Sequence, residues 1–274
     1  MILFSDCKIN IGLDITARRP DGYHDISTVM VHIPWHDIIE LLPAKGNAPS
    51  LTVVGRNVDC PPEKNLVMKA FRVMEREYGI PPVDIVLEKI IPDGAGLGGG
   101  SADAATTLKG LNEMFGLNVE SRRLAELASE IGADCPFFIY DTPMYCTGIG
   151  TVMQPVDVDL AGRLLLVAKP EGVSVSTREA YSRVVPQIPD VALPELIDLP
   201  VEMWQGRVKN DFESSVFAVA PQVRELKEMM LAEGAEYASM SGSGASVYGI
   251  FNDDKLADNA RSRCGSLISM MCRM

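Results

Sequence analysis

The chain's 274 residues allow a sizeable core, in one large domain or two smaller ones, and 47% hydrophobic against 23% charged residues is the balance of a globular protein. Thirty-seven acids against 25 bases leave a net charge of −12 with no basic stripe, which argues against nucleic acid as a partner, and no apolar run is long enough to span a bilayer. The opening MILFSDCKINIG lacks the basic start and long apolar stretch of a secretory signal, so the cytoplasm is the expected compartment and the six cysteines, with no C-x-x-C pair, are expected as reduced thiols.

Near the N-terminus, Cys7, Ile9, Ile11, Leu13 and Ile15 alternate with Lys8, Asn10, Gly12, Asp14 and Thr16. This period of two predicts a strand with Lys8 and Asn10 together on the face away from the apolar one. Pro20-Asp21-Gly22 predicts a turn, after which HDISTVMVHI returns as a second strand; DIIELL and SLTVVG are further strand candidates. His32 and His36 have H-x-x-x-H spacing, but IPW between them reads as a strand ending and no cysteine pair stands at finger distance, so no metal site is expected there. Asn65 caps a predicted helix whose Val67, Ala70, Phe71, Met74 and Tyr78 form one apolar stripe ending at Gly79.

Val83, Ile85 and Leu87 then alternate with Asp84 and Glu88 in a half-buried strand that stops at Pro92. There follows PDGAGLGGGSADAA, in which Gly94, Gly96, Gly98, Gly99 and Gly100 fall within seven positions. Ala104, Leu108, Leu111 and Phe115 recur beyond it at helical spacing, with Ser101 placed as N-cap and Gly116 as the stop. Strand, glycine loop and helix N-terminus together make an anion site, because unpaired N–H groups and the positive end of the helix dipole converge on the loop. A mere turn needs only one or two glycines, so a phosphate cradle is the reading. It is not a Walker A loop, since Gly99 is followed by Gly100 and Ser101 with no lysine. Gly94, Gly96 and Gly99 satisfy G-x-G-x-x-G, yet the preceding strand is amphipathic and no βαβ unit is evident around it, which leaves dinucleotide binding as a rival without support from context.

A helix from Ser121, with Leu124, Leu127, Ala128 and Ile131 inward, closes at Gly132 and sets Asp134 just past its end. MYCTGIGTVMQPV leads into RLLLVAKP, a predicted buried strand, and a domain boundary is expected near Pro155, giving domains 1–155 and 156–274. The span Pro186 to Pro200 reads as loop with a short helix; EYASM, SGSGA and SVYGIF read as strand, turn and strand. Strands mixed with helices without a βαβ rhythm favour an α+β fold.

The run from Pro92 to Ser101 follows P-x-G-x-G-L-G-S/G-S as far as Gly99, with Gly100 placed before the serine at Ser101, and through it the chain resembles the GHMP kinase superfamily. The segments CKINIGLDI, RPDGYHDI, EKNLV, IGADCPFF, KPEGVSVST, NDFE and SGSGASVYGIF extend the resemblance over nearly the full chain, toward the branch that acts on a cytidine-diphosphate-linked methylerythritol. The loop alone marks only the superfamily, whereas DGYH together with GAD-x-P is far more specific. The resemblance implies ATP-dependent phosphorylation of that compound's tertiary 2-hydroxyl in non-mevalonate isoprenoid precursor synthesis. It also implies a two-domain α+β fold, with an N-terminal domain like ribosomal protein S5 domain 2 and a C-terminal domain contributing to the substrate cleft. ATP and Mg²⁺ are the expected cofactors and a small molecule the expected partner, without nucleic acid or membrane; a homodimer is left open.

Carried over by motif, Asp134 is the expected base and Lys8 the lysine that keeps it ionised and neutralises the moving phosphoryl group. Pro92, Asp93, Gly94, Ala95, Gly96, Leu97, Gly98, Gly99, Gly100, Ser101 and Ala102 are expected around the ATP phosphates, with Asn65 and Lys89 near its nucleoside. Asn10, Tyr23, His24 and Tyr181 are expected on the second substrate, where tyrosine and histidine suit the face and edge of a cytosine. No residue is assigned as a metal ligand, although Ser101 could reach Mg²⁺ or a phosphate and Asp103 could assist the metal. Each residue also has an ordinary reading: Asp134 as a turn cap, Lys8 as a solvated strand residue, Asn65 and Ser101 as helix caps, Lys89 as an exposed strand charge, Asp103 as an acid favoured by the helix dipole. A homoserine or mevalonate-type kinase would keep the loop but lack the cytidine-reading aromatics, and a nucleotide sensor would bind ATP without turnover.

Overall fold

The structure is a computed structural model that describes residues 1–57 and 60–274. The alternating N-terminal sequence builds β1 (Ile2–Arg18), and after the Pro20–Gly22 turn the chain returns as β2 (His24–Pro43), paired with β1. β2 runs through the IPW segment and DIIELL as one 20-residue strand, so the strand ending expected at IPW is not there. Both faces of β1 are covered from Cys7 to Leu13. The ordinary reading of Lys8 as a solvated strand residue therefore fails, and the alternation reports two different buried environments.

The chain forms two compact units, neither of them a single stretch of sequence. One comprises Met1–Cys7, Pro34–Asp93 and Gly98–Asp141; the other comprises Lys8–Ile33, Gly94–Leu97 and Thr142–Met274. The boundary expected near Pro155 falls inside the last of these stretches.

In the first unit β3 (Ser50–Gly55) lies parallel to β4 (Val83–Lys89), and β4 pairs antiparallel with Ile38–Pro43 of β2. Between β3 and β4 comes α1 (Leu66–Tyr78), started by the Asn65 side chain accepting the Val67 N–H and stopped by Gly79 in the left-handed conformation. It packs on α2 (Gly99–Met114), whose buried stripe of Ala102, Ala104, Ala105, Leu108 and Leu111 includes three alanines. Gly110 takes the close approach further, because a Cβ there would stand 2.3 Å from Leu3 Cδ1 and 2.8 Å from Leu41 Cδ1. α3 (Ser121–Ser129) and a short 3₁₀ turn, Cys135–Ile139, complete this unit.

In the second unit Ile26–Met30 of β2 pairs with β5 (Met144–Gly148), which forms a hairpin with β6 (Val152–Pro155). A separate antiparallel sheet has the order β10 (Ile268–Arg273), β7 (Leu164–Lys169), β9 (Val247–Phe251) and β8 (Tyr237–Met240). Every residue of β7 is buried, as its continuous apolar run predicts. The helices α4 (Thr177–Tyr181), α5 (Leu193–Ile197), α6 (Phe212–Val219), α7 (Pro221–Ala232) and α8 (Asp254–Cys264) belong here, and α7 and α8 pack on the sheet through Val223, Met230, Ala257 and Ala260. None of the six cysteines is in a disulfide, and among the described residues no helix is long and apolar enough to cross a membrane.

Candidate active site

Within the second unit, Lys8 and Asn10 of β1 are 3% and 2% exposed and meet two segments far from them in sequence. Lys8 Nζ donates to Asn10 Oδ1 and to the Gly96 carbonyl at 3.0 Å, while the Lys8 backbone N–H donates to the Leu97 carbonyl at 3.0 Å. Asn10 Nδ2 donates to Thr28 Oγ1 at 2.9 Å, and Thr28 passes its own hydrogen to the Gly12 carbonyl at 2.6 Å. The Asn10 side chain thus has its oxygen on the ammonium and its amide group on a hydroxyl, which fixes its orientation. Ser241 Oγ accepts the Asn10 N–H at 3.2 Å and donates to the Gly96 carbonyl at 2.9 Å; Tyr248 donates its hydroxyl to the Asn10 carbonyl at 2.9 Å. A buried ammonium is costly unless dipoles are already turned toward it, and here a backbone carbonyl and an amide oxygen are.

The glycine segment is held against the β8–β9 turn. Ser246 donates its N–H to the Ala95 carbonyl at 3.1 Å, and Asn210 Nδ2 supports the turn from behind through the carbonyls of Met240 and Gly242 at 2.8 and 2.9 Å. Gly96 has φ +73°, and a Cβ on it would lie 2.0 Å from the Ser241 carbonyl oxygen. No other residue type fits at that approach.

The residues expected on the second substrate all lie in the same unit. His24, at the start of β2, stacks on Tyr181 with centroids 4.6 Å apart and planes 20° from parallel, and Tyr181 meets Phe212 edge-on at 4.7 Å. Tyr181 closes α4, which begins with a reciprocal capping box between Ser176 and Glu179. Tyr23 is 62% exposed in a turn tied by Asp21, whose carboxylate accepts both the Tyr23 N–H and the Arg19 side chain. A separate cavity of about 470 Å³ in this unit is lined by Asp14, Gln187, Asp190, Arg207, Lys209 and Asp211 among others, and by none of the residues expected from sequence. In it the Asp14 carboxyl is pushed up to about 6, chiefly by burial and then by the charge of Asp211, against the pull of Lys209.

In the first unit Asp134 stands half-buried at the head of the Cys135–Ile139 turn, and its side chain makes no capping hydrogen bond to that turn. The turn-cap reading therefore does not describe it. Asn65 does act as a helix cap. α2 begins at Gly99, with Gly98 as N-cap at φ +70°, so the expectation of Ser101 as N-cap is wrong: a left-handed glycine starts the helix two residues earlier and leaves Ser101 in its first turn. Gly100 has an ordinary helical backbone, and a Cβ there would meet only Leu66 Cδ1 at 3.8 Å. Among the described residues no contact requires glycine at that position.

Lys89, expected near the nucleoside or else as an exposed charge, is 6% exposed and bonds through Nζ to Asp37 and, at 2.7 Å, to Asp103. Burial opposes its charge, but the two carboxylates outweigh it and raise its pKa; burial likewise pushes Asp103 up to about 7 against the pull of Lys89. Asp103 Oδ1 and Ser5 Oγ, both buried, have no hydrogen bond of normal geometry, although the Ser5 hydroxyl is near enough to favour the ionised carboxylate. The Asp103 carboxylate is thus engaged by a lysine. Among the described residues no three His, Cys, Asp or Glu side chains cluster to hold a metal.

Thr28, Asp37, Asn210, Ser241 and Tyr248 were not among the residues expected from sequence. NDFE and SGSGASVYGIF carry Asn210, Ser241 and Tyr248, so a signal was present for these three without a role attached.

The chain matches the GHMP kinases N terminal domain over residues 65–142 and the GHMP kinases C terminal domain over residues 193–267. A 4-diphosphocytidyl-2-C-methyl-D-erythritol kinase of Parabacteroides distasonis is 49% identical over 92% of both chains. One of Bacteroides fragilis is 47% identical over 93% of both. A crystal structure of 4-(cytidine 5'-diphospho)-2C-methyl-D-erythritol kinase superposes with a TM-score of 0.83 at 29% identity, covering 99% of this chain and 98% of that one. The expected α+β, two-domain GHMP kinase fold is thereby borne out. With identity of this level sustained over nearly the whole length, the chain belongs to the GHMP kinase superfamily, in the family of 4-diphosphocytidyl-2-C-methyl-D-erythritol kinases.

Proposed function

We propose that this kinase transfers the γ-phosphoryl group of ATP to the tertiary 2-hydroxyl of 4-diphosphocytidyl-2-C-methyl-D-erythritol, in isoprenoid precursor biosynthesis. The new bond joins the hydroxyl oxygen to the γ-phosphorus, the bridge to the β-phosphate breaks, and ADP leaves. The hydroxyl proton goes to Asp134, whose side chain is not used to cap the turn behind it. Such a transfer demands positioning and neutralisation more than covalent chemistry from the protein. Lys8 supplies the positive charge, aimed by Asn10 and the Gly96 carbonyl, and Asn10 orients the acceptor alcohol. N–H groups from Gly94 to Ser101 receive the phosphates at the start of α2, where the dipole favours them, while the Ala102 N–H is already given to the Gly98 carbonyl at 2.9 Å.

Mg²⁺ belongs to the same proposal. Such an ion would draw many of its ligands from nucleotide phosphates and water, and the Ser101 hydroxyl in the first turn of α2, which is also near the Cys135 thiol, is a protein oxygen that would join them. His24 and Tyr181 offer aromatic faces and polar edges to the cytosine, with Tyr23 beside His24 in sequence; Asn65 and the backbone about Lys89 are assigned to the nucleoside of ATP.

The observation that carries this reading is the single hydrogen-bonded network of Lys8, Asn10, Ser241 and Gly96, which ties the charge to the glycine segment. ADP release measured with cytidine-linked methylerythritol, mevalonate and homoserine tests it. Turnover confined to the first compound is the expected result, and preference for either of the others overturns it.

A further inference from the structure

Asp37, in the middle of β2, has no exposed surface and both of its carboxylate oxygens are occupied. Oδ1 accepts two consecutive backbone N–H groups, from Ile90 at 2.5 Å and Ile91 at 2.8 Å, and Oδ2 accepts from Lys89 Nζ. Lys89, Ile90 and Ile91 are the last residues before Pro92 opens the glycine segment. The same Lys89 ammonium bonds Asp103 at 2.7 Å, in the first turns of the helix that begins after that segment. It also lies 3.5 Å from where a Cβ of Gly99 would stand, with Ile91 Cγ2 at 3.1 Å from the same point. One buried carboxylate therefore fixes the end of β4 directly and the start of α2 through one lysine.

Stability alone does not account for such a cluster. Desolvating three charges costs about as much as their attraction returns, and well-packed apolar residues of similar volume are often as stable. An ammonium near a helix N-terminus is moreover on the wrong side of the dipole unless carboxylates offset it. What the arrangement does provide is geometry: two successive amides on one oxygen set the backbone where strand becomes loop, and the Lys89–Asp103 bond sets the distance from there to the helix.

We propose that Asp37 is a positioning residue for ATP, holding the strand end and the helix start at the separation that the phosphate-binding segment must span. This rests on the reading that Gly94 to Ser101 receive the phosphates. The consequence is a division of effects: loss of Asp37 weakens ATP binding and leaves the chemical step and the second substrate nearly untouched.

The test is D37N in the full chain. Asparagine keeps an oxygen for Ile90 and Ile91 but turns an NH₂ group toward the Lys89 ammonium, donor against donor. The Kd of a nonhydrolysable ATP analogue and the KM for ATP are expected to rise about tenfold or more, with kcat and the KM of the alcohol substrate within about threefold of wild type. Amide hydrogen exchange across residues 89–103 is expected to quicken in the same variant. D37N that is folded and less thermostable, with wild-type Kd and KM for ATP, overturns the proposal. If D37N does not fold, D103N decides, since it loosens the helix side of the cluster and leaves the Asp37 bonds in place; it should show the same split, and an unchanged KM for ATP overturns the idea. Wild-type protein that fails to bind the analogue defeats the phosphate-segment reading instead, so the two failures are distinguishable.

Discussion

Gly96→Ala and Gly100→Ala make the same chemical change four residues apart, and the structure gives them opposite effects on stability. At position 96 the added methyl lands 2.0 Å from the Ser241 carbonyl oxygen and 3.1 Å from the Gly244 nitrogen, so the two segments must part by about 1 Å. The left-handed backbone adds about 1–2 kcal/mol of strain and overpacking about 1–3 kcal/mol, which lowers the melting temperature by roughly 5–15 °C. The Gly96 carbonyl is also the acceptor for Lys8 and Ser241, so the displacement reaches the ammonium, and misplacement on that scale costs about a hundredfold in kcat/KM. At position 100 the backbone is helical and the methyl meets only Leu66 Cδ1 at 3.8 Å. Alanine should there stabilise the helix by about 0.5–1 kcal/mol, raising the melting temperature by about 1–3 °C. If phosphates occupy the space beside Gly100, the more stable variant nevertheless has a KM for ATP raised several-fold. Thermal melts and ADP-release kinetics on the pair read both effects. A Gly100→Ala protein that is stabilised and uses ATP as wild type does would refute the inference that this surface is bare for a ligand.

Asp134→Asn is expected to abolish turnover while leaving the Kd of an ATP analogue within about twofold of wild type, since the role proposed for it is on the hydroxyl proton and not on the nucleotide; retained turnover removes Asp134 from the mechanism. Tyr181→Ala should raise the KM of the cytidine-linked substrate about tenfold with the KM for ATP unchanged, and Tyr181→Phe, which keeps the ring on His24, should restore it; equal losses in both variants would contradict a stacking role. Asp14, held up to about 6 by burial and by Asp211, binds its proton more tightly folded than unfolded, so its contribution to stability is greatest below about pH 4, declines as pH rises through about 6, and is level above that. Because Asp14 is only partly buried, the effect is discounted to about 1 kcal/mol, and Asp14→Asn should therefore melt higher than wild type at pH 8 and equal to it near pH 3.5; denaturation at the two pH values checks the sign.

The parts of the fold legible in the sequence were those whose cause is local. α1 announced itself through Asn65, a stripe of apolar side chains and Gly79, and the β8–β9 hairpin through two apolar runs around SGSGA. Lys8 was placed on the correct strand and face, but its burial was not legible, because what covers it lies 88 residues away at Gly96 and, through Asn10, 231 residues away at Ser241. Asp37 gave no signal: one acid in an apolar strand looks the same whether water or a buried lysine faces it. Ser101 misled for a related reason, since serine is a good N-cap residue and only the left-handed backbone of Gly98 shows that the helix had already begun. The glycine run shows how far letters alone can go. Gly96 is glycine because another part of the protein leaves no room, and Gly100 is glycine although the protein leaves ample room. In sequence the two are the same residue in the same motif; the distance to the nearest atom separates a packing constraint at Gly96 from a position where only the proposed phosphate site would call for glycine.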